Sequence, residues 1–311
     1  MESCEVKRLL KKFLGFFGLN YFNERFELLH TVLAEQQAAT MAKIASLPVE
    51  VSTEPHANRR DDARYQALVL AGLNARAARV ARVAVCAVKA PVPIDVRPFD
   101  SYLRNLESSY PAAFPIWLQL FENGQRAYQE LPKEASCSTW SNDFAMLFRD
   151  YVDVYGAGAI LDVGCGPYGD PVYLSGFPPQ SLCAIEPLPM VTQAEFTVVR
   201  AFCEFLPWSD CSFDTVVIAT SLDHVLSLNA SLTEVRRVLK PGGKLLIWLG
   251  SIPGMAEYDE QHSVPLDDFH LFQFDEKWAT PLLAGYFSLV DLSRFNAPGG
   301  TWQHCFYCLR K

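Results

Sequence analysis

Along this chain the spacing of apolar residues changes character once, near residue 135. From Val6 to Ile44 apolar positions recur at helical spacing, Pro48 to Pro55 interrupts them, and Asp61 to Val88 is rich in the helix formers alanine and arginine. Pro91, Pro93 and Pro98 then punctuate the chain. Between Tyr102 and Gln129 helical spacing returns, with Trp117, Leu118, Leu120 and Phe121 marking one buried face. Residues 1–135 are read as a helical N-terminal region and residues 136–311 as a second domain, with the boundary between Leu131 and Ser138.

Beyond that boundary the pattern becomes one of short apolar runs separated by helical or turn segments, as in an open α/β sheet. The runs are Ile160 to Val163, Leu182 to Ile185, Thr197 to Val199, Phe213 to Ala219 and Lys244 to Leu249. Between the last two, Ser231 and Glu234 have capping-box spacing, so Leu232 to Leu239 is predicted as a helix that Pro241-Gly242-Gly243 terminates. Phe287 to Phe295 and Cys305 to Leu309 flank the turn-rich Asn296 to Gly300, which predicts a hairpin at the sheet edge. The fold class expected is α/β: a doubly wound, Rossmann-like sheet closed by an antiparallel C-terminal hairpin, preceded by the helical region.

Composition narrows the function classes. Half of the 311 residues are hydrophobic, enough for a sizeable core. No apolar run approaches the roughly 20 residues that span a bilayer, and no small-residue cleavage site follows Lys7 to Leu19. The nine cysteines lack a disulfide framework's spacing, which points to a reducing cytoplasm. The net charge of -8 is unevenly held: residues 1–135 are nearly balanced and residues 136–311 are strongly acidic. An acidic domain repels phosphate backbones and attracts small cations, so no nucleic-acid partner is expected.

The chemistry begins at Ile160-Leu161-Asp162-Val163-Gly164-Cys165-Gly166-Pro167-Tyr168-Gly169. A buried strand runs into a glycine turn, where backbone lies bare to a ligand. Gly164, Gly166 and Gly169 also fit a dinucleotide loop, and Glu186, about 20 residues on at the end of the second strand, can hold two ribose hydroxyls. Two cofactor classes are open on these residues alone. Asp162 separates them, because a carboxylate beside the loop repels a pyrophosphate and attracts an ammonium or a sulfonium; the plainer reading is a carboxylate that caps local amides.

Downstream, Glu204-Phe205-Leu206-Pro207-Trp208-Ser209-Asp210-Cys211-Ser212-Phe213-Asp214, then Leu222-Asp223-His224-Val225, then Glu234-Val235-Arg236-Arg237-Val238-Leu239-Lys240-Pro241-Gly242-Gly243 complete a set that resembles the ubiquinone-biosynthesis-like (methyltransferase type 11) branch of the class I S-adenosylmethionine-dependent methyltransferases. The resemblance is close over residues 160–250 and looser from Cys137 to Lys311. It implies a seven-stranded sheet of order 3-2-1-4-5-7-6 with the last strand antiparallel, and S-adenosyl-L-methionine as cofactor. It implies further that Gly164, Cys165 and Gly166 form the loop at the cofactor's methionine end and that Asp162 lies near its ammonium. Glu186 would bind the ribose, the backbone of Cys203 and Glu204 would line the adenine, and Thr220 would lie near the sulfonium. The position before Cys203 departs from the pattern: it is Phe202 rather than an acid, so stacking or backbone contacts would hold the adenine. Only Pro187 to Glu195 joins the second and third strands, short for a crossover helix.

Methyl transfer from a sulfonium needs little beyond an acceptor held in line, with a base where the acceptor is a hydroxyl. Asp223 and His224, after the fourth strand, and His270 or His262, after the fifth, are the catalytic candidates, since doubly wound sheets place their sites at such strand ends. For His224 the alternative is packing at a helix start, and for His270 a half-buried lid position. No metal site is assigned; Cys305 and Cys308 are three apart in a strand and face opposite sides. The reading is O-methylation of a small-molecule acceptor, namely a sugar, lipid or secondary metabolite. The glycan option rests on a looser resemblance of Leu120-Phe121-Glu122-Asn123-Gly124 and Gly164-Cys165-Gly166-Pro167 to methyltransferases of polysaccharide pathways. An NAD-dependent oxidoreductase and a catalytically silent cofactor-binding partner are the rival classes. For the N-terminal third, the basic and apolar mixture from Lys7 to Phe17 allows membrane contact, a lid or a homodimer contact. Arg76, Arg79 and Arg82 allow a basic stripe for an acidic partner or a solvated helix face.

Overall fold

The structure, a computed structural model, describes residues 63–82, 88–130, 133, 136, 138–260, 264–297 and 300–311. The helix expected from Val6 to Ile44, its membrane or dimer contact, Cys137 and His262 lie outside the described residues. Among the described residues, no helix is long and apolar enough to cross a membrane.

Seven strands form one sheet of order β3-β2-β1-β4-β5-β7-β6. They are β1 (Ile160–Val163), β2 (Leu182–Ile185), β3 (Thr197–Val199), β4 (Phe213–Ala219), β5 (Leu239–Ser251), β6 (Ser288–Asn296) and β7 (Gln303–Arg310). Strands β1 to β5 pair in parallel, and β7 runs antiparallel to both β5 and β6. The strand order and the C-terminal hairpin agree with the expectation. The central strands read as continuous apolar runs because both faces are covered. Leu161, Val216, Ile218, Leu245, Ile247 and Leu249 enter one core, and Ile160, Val217, Leu246 and Trp248 enter the other. The same alternation sends Cys305 into the first core and Cys308 into the second, as expected of residues three apart.

Six helices are described: α1 (Ala63–Arg82), α2 (Phe99–Ser109), α3 (Phe114–Glu130), α4 (Asp143–Tyr155), α5 (Leu228–Val238) and α6 (Glu276–Tyr286). The one helix expected from Tyr102 to Gln129 is two, α2 and α3, divided at Tyr110 and Pro111, because proline disfavours helical backbone in the residue before it. The cap expected at Ser231 lies one turn earlier. Ser227 accepts from the Ala230 amide at 3.1 Å, Ser231 is buried inside α5, and Glu234 instead accepts from the Leu206 amide at 2.9 Å. Helix α4, capped by Asn142 through the amides of Phe144 and Ala145, was not read from the sequence. The 187–195 segment is irregular, as its length required.

Residues from the described N-terminal helices are built into both cores: Leu68 and Val69 of α1 in the second, Tyr102, Leu106, Trp117 and Leu120 of α2 and α3 in the first. Arg76 and Arg79 are neither a stripe for an outside partner nor a solvated face. They enclose the fully buried carboxylate of Asp153 on α4, with Arg79 Nη1 at 2.7 Å and Arg76 Nε at 2.8 Å, and Arg76 also reaches Asp150 at 3.1 Å.

Candidate active site

The parallel strands end together, and their C-terminal ends open into a cleft with room inside for about 160 Å³. Such strand ends are where a doubly wound sheet leaves space, because the chain departs to opposite faces on either side of the order reversal between β1 and β4. The floor is Val163, Gly164 and Gly166; Glu186 and Leu188 form one side, Thr220, Ser221, Asp223, His224 and Val225 the other, and Trp117, Leu120, Phe121, Gly124 and Tyr128 of α3 the roof.

The floor requires glycine. Gly164 has φ +82°, and a Cβ there would lie 2.6 Å from the Ser221 Cβ; Gly166 has φ +77°, with only the Ser138 hydroxyl oxygen, at 3.6 Å, near such an atom. The first glycine thus permits close approach of the turn that follows β4, and the second leaves open space above the loop. Glu186, nearly fully buried at the end of β2, accepts from the Gly166 amide at 2.7 Å through one carboxylate oxygen and from the Leu188 amide at 3.0 Å through the other. Burial nevertheless pushes its carboxyl up to about 7. Each oxygen retains a second lone pair for a ligand hydroxyl.

Asp162 lies beneath the floor, fully buried. One oxygen accepts from the Tyr173 hydroxyl at 3.0 Å and the other, Oδ1, has no hydrogen-bond partner. Burial, reinforced by the Glu186 carboxylate and opposed by the Tyr173 bond, pushes its carboxyl up to about 8. Two carboxyls so close to a glycine floor form a site short of positive charge, and a cationic ligand would relieve both.

Cys165 is buried below the loop, is not a wall of the cleft, and turns its thiol toward the Gly166 carbonyl at 3.4 Å. Cys203 and Glu204 line the cleft, but the Glu204 carboxylate faces inward and accepts from the amides of Leu226 and Ser227 at 2.8 and 3.1 Å, tying the β3–β4 connection to the start of α5. Phe202 stands among aromatic rings, 5.1 Å from Phe99 and 5.2 Å from Trp117. Thr220, which also lines the cleft, has φ 53°; among the described residues only Cys211 is another non-glycine of positive φ. A β-branched residue in that conformation is strained, and such strain gathers where a backbone must aim a group at a ligand.

Asp223 and His224 follow in a one-turn 3-10 helix, Leu222–His224, whose final carbonyl accepts from the Trp117 indole at 2.9 Å. His270 reaches the same place from the 266–272 loop. Its ring stacks on that of His224 at 4.6 Å, its Nδ1 lies 2.9 Å from the Asp267 carboxylate, and its Nε2 lies 3.8 Å from Asp223. Of the catalytic candidates named from sequence, Asp223, His224 and His270 are thus brought together by the fold. Asp267, which orients His270, is absent from the sequence reading, although its Asp-x-x-His spacing is a detectable signal. Nor does that reading mark Tyr128 and Phe269 as walls of the cleft. His304 is buried and accepts from the Trp248 indole at 2.9 Å, a packing role.

The residues present fit S-adenosylmethionine: a buried carboxylate beneath the loop with one unpartnered oxygen, a loop whose open space a side chain at Gly166 would fill, and a strand-end glutamate with spare acceptor capacity. Comparison with known proteins gives the same direction. Residues 161–247 match the model of the methyltransferase domain family. The chain is 32% identical over 165 residues to the ubiquinone/menaquinone biosynthesis C-methyltransferase UbiE of Syntrophotalea carbinolica, covering 45% of this chain and 70% of that protein. Against the enzyme of the same name from Geotalea daltonii it is 34% identical over 93 residues, 30% of this chain and 35% of that one. The chain thus spans only about a third of the Geotalea protein's length. Among solved structures, the 1,6-didemethyltoxoflavin-N1-methyltransferase of Burkholderia thailandensis, described with bound S-adenosylhomocysteine, aligns at 16% identity and a TM-score of 0.42 over 71% of this chain and 94% of its own.

Proposed function

This chain belongs to the class I S-adenosylmethionine-dependent methyltransferases, and we propose that within that family it methylates a hydroxyl oxygen of a small molecule: a sugar, a lipid or a secondary metabolite. The observation that carries the proposal is the joint opening, onto one cleft, of the glycine floor with Glu186 and of the Asp223–His224 turn beside the aromatic face of α3.

Bound S-adenosylmethionine supplies a methyl group on sulfonium sulfur, already activated toward a nucleophile. Glu186 would accept from the ribose hydroxyls, the Gly164–Gly166 backbone would face the methionine end, and Asp162 would offer its unpartnered oxygen to positive charge. The Cys203 and Glu204 backbone beside Phe202 would face the adenine. Trp117, Phe121, Tyr128 and Phe269 give the acceptor a flat apolar surface and exclude water around it. Holding the acceptor in line contributes roughly 7–11 kcal/mol through proximity.

A hydroxyl acceptor must also lose its proton, and His270 is placed to take it. With Nδ1–H donated to Asp267, the Nε2 lone pair is free on the Asp223 side, the arrangement in which a carboxylate fixes the tautomer and orientation of a base. His224 packs against it. The test is incubation with methyl-labelled donor and a panel of hydroxylated acceptors, with the methylated atom identified by mass spectrometry and NMR. The proposal expects label on oxygen and a loss of about 10²–10⁴-fold in kcat for His270→Ala. Label on carbon, as the relatives' names describe, would overturn the O-methylation reading.

A further inference from the structure

Asp223, His224 and His270 form a donor set as well as a possible base. Both carboxylate oxygens of Asp223 are turned to histidine nitrogens: Oδ1 lies 3.9 Å from His224 Nε2 and Oδ2 lies 3.8 Å from His270 Nε2. One ligand atom from each residue falls within 4.8 Å of the others. These separations exceed hydrogen bonds, so the groups face one another without satisfying one another. Asp223 Oδ1 is buried and has no hydrogen-bond partner, and Oδ2 receives only a long contact of 3.4 Å from Gln273.

A divalent ion about 2.0–2.2 Å from each donor supplies the missing partner. Donors each about 2.0–2.2 Å from one tetrahedral ion stand roughly 3.4 Å apart, so the 3.8 and 3.9 Å separations here need only a small closing of the side chains. His270 also shows the support that metal-bound histidines have, its far nitrogen held by the Asp267 carboxylate at 2.9 Å. Two imidazoles and one carboxylate, with the cleft open beside them, suit a first-row divalent ion with vacant positions.

We propose that Asp223, His224 and His270 bind one divalent transition-metal ion, which takes the acceptor's hydroxyl oxygen as a further ligand. This rests on the reading of the cleft as a methyl-transfer site and replaces the side-chain base with a cation. Coordination acidifies the hydroxyl, whose proton passes to water. The oxygen then forms its bond to the methyl carbon as the carbon–sulfur bond breaks, its electron pair staying on sulfur.

The test uses full-length, untagged protein stripped with a chelator and titrated with cobalt(II), followed by visible absorption, with calorimetry of S-adenosylhomocysteine on the same samples. Expected are d–d bands saturating at one ion per chain. Binding should be weakened at least tenfold in Asp223→Asn and in His270→Ala, and roughly 10–100-fold in Asp267→Asn, while S-adenosylhomocysteine affinity stays within about threefold of wild type. Cobalt signals that persist in the Asp223→Asn/His270→Ala double variant, a thiolate charge-transfer band, or no saturable binding would overturn the proposal. Saturable cobalt binding in a protein that does not bind S-adenosylhomocysteine would support the metal site while contradicting the cofactor reading.

Discussion

Replacing Asp162 by asparagine should change stability in a way that depends on pH. The carboxyl is fully buried, and its pKa is raised from 3.8 to about 8. A folded-state value above the unfolded one means that the native protein holds this proton between pH 4 and 8 while the unfolded chain has released it. The stability contribution is therefore complete below the unfolded value and is lost as pH rises through about 8. At about 1.4 kcal/mol per unit, the penalty relative to an uncharged group is about 2 kcal/mol at pH 5 and about 6 kcal/mol at pH 9, both upper bounds. In Asp162→Asn the amide oxygen keeps the Tyr173 bond and the amide nitrogen takes the unpartnered place, costing about 1–3 kcal/mol at either pH. That cost cancels in the comparison. Urea denaturation of both proteins at pH 5 and pH 9 should show the variant gaining about 2–4 kcal/mol relative to wild type between the two conditions, while its affinity for S-adenosylmethionine falls. An equal difference at both pH values would refute the burial argument, and gained stability with unchanged affinity would remove Asp162 from the cofactor site.

Other outcomes follow from individual contacts. Thr220→Gly relieves the positive φ and should stabilise the free protein by about 1 kcal/mol by thermal melting, yet lower the methyl-transfer rate, since the side chain lines the cleft. Arg76→Ala removes one of two guanidinium partners from the buried Asp153 and should cost about 3–5 kcal/mol in denaturant titration; a loss below 1 kcal/mol would mean that Arg79 alone suffices. In isothermal titration calorimetry with buffers of different ionisation enthalpy, S-adenosylhomocysteine binding to wild type at pH 7 should release between one and two protons as Asp162 and Glu186 become ionised, and fewer than one in Asp162→Asn. Identical proton release in both would contradict it.

Elements whose signal is local were legible in the sequence. Strands β1 to β4 were read at their observed bounds because two covered faces make each one an apolar run ended by a turn. The glycine floor and Glu186 were legible because strand-end chemistry is tied to spacing along the chain. Elements decided by tertiary contact were less so. The start of α5 lies one turn before the Ser231–Glu234 capping-box spacing, because Leu228 packs in the core and Ser227 supplies the cap. The burial of Arg76 and Arg79 depends on the carboxylates of α4, about 74 residues away in sequence, and no periodicity within α1 discloses it. Glu204 is assigned to the adenine side by its backbone alone, and nothing in its motif discloses that its carboxylate is consumed by the start of α5. The meeting of His270 with Asp223 needed the 266–272 loop to fold back over β4, a path that loop sequence does not encode by pattern.

The claim that this cleft binds S-adenosylmethionine through the β2 carboxylate is tested most directly by calorimetric titration of S-adenosylhomocysteine into wild type and Glu186→Ala. The ribose hydrogen bonds to a carboxylate predict saturable binding at one site per chain, weakened about ten- to hundredfold in the variant. No binding to wild type, or equal affinity in a variant that retains the wild-type circular dichroism spectrum, would contradict it.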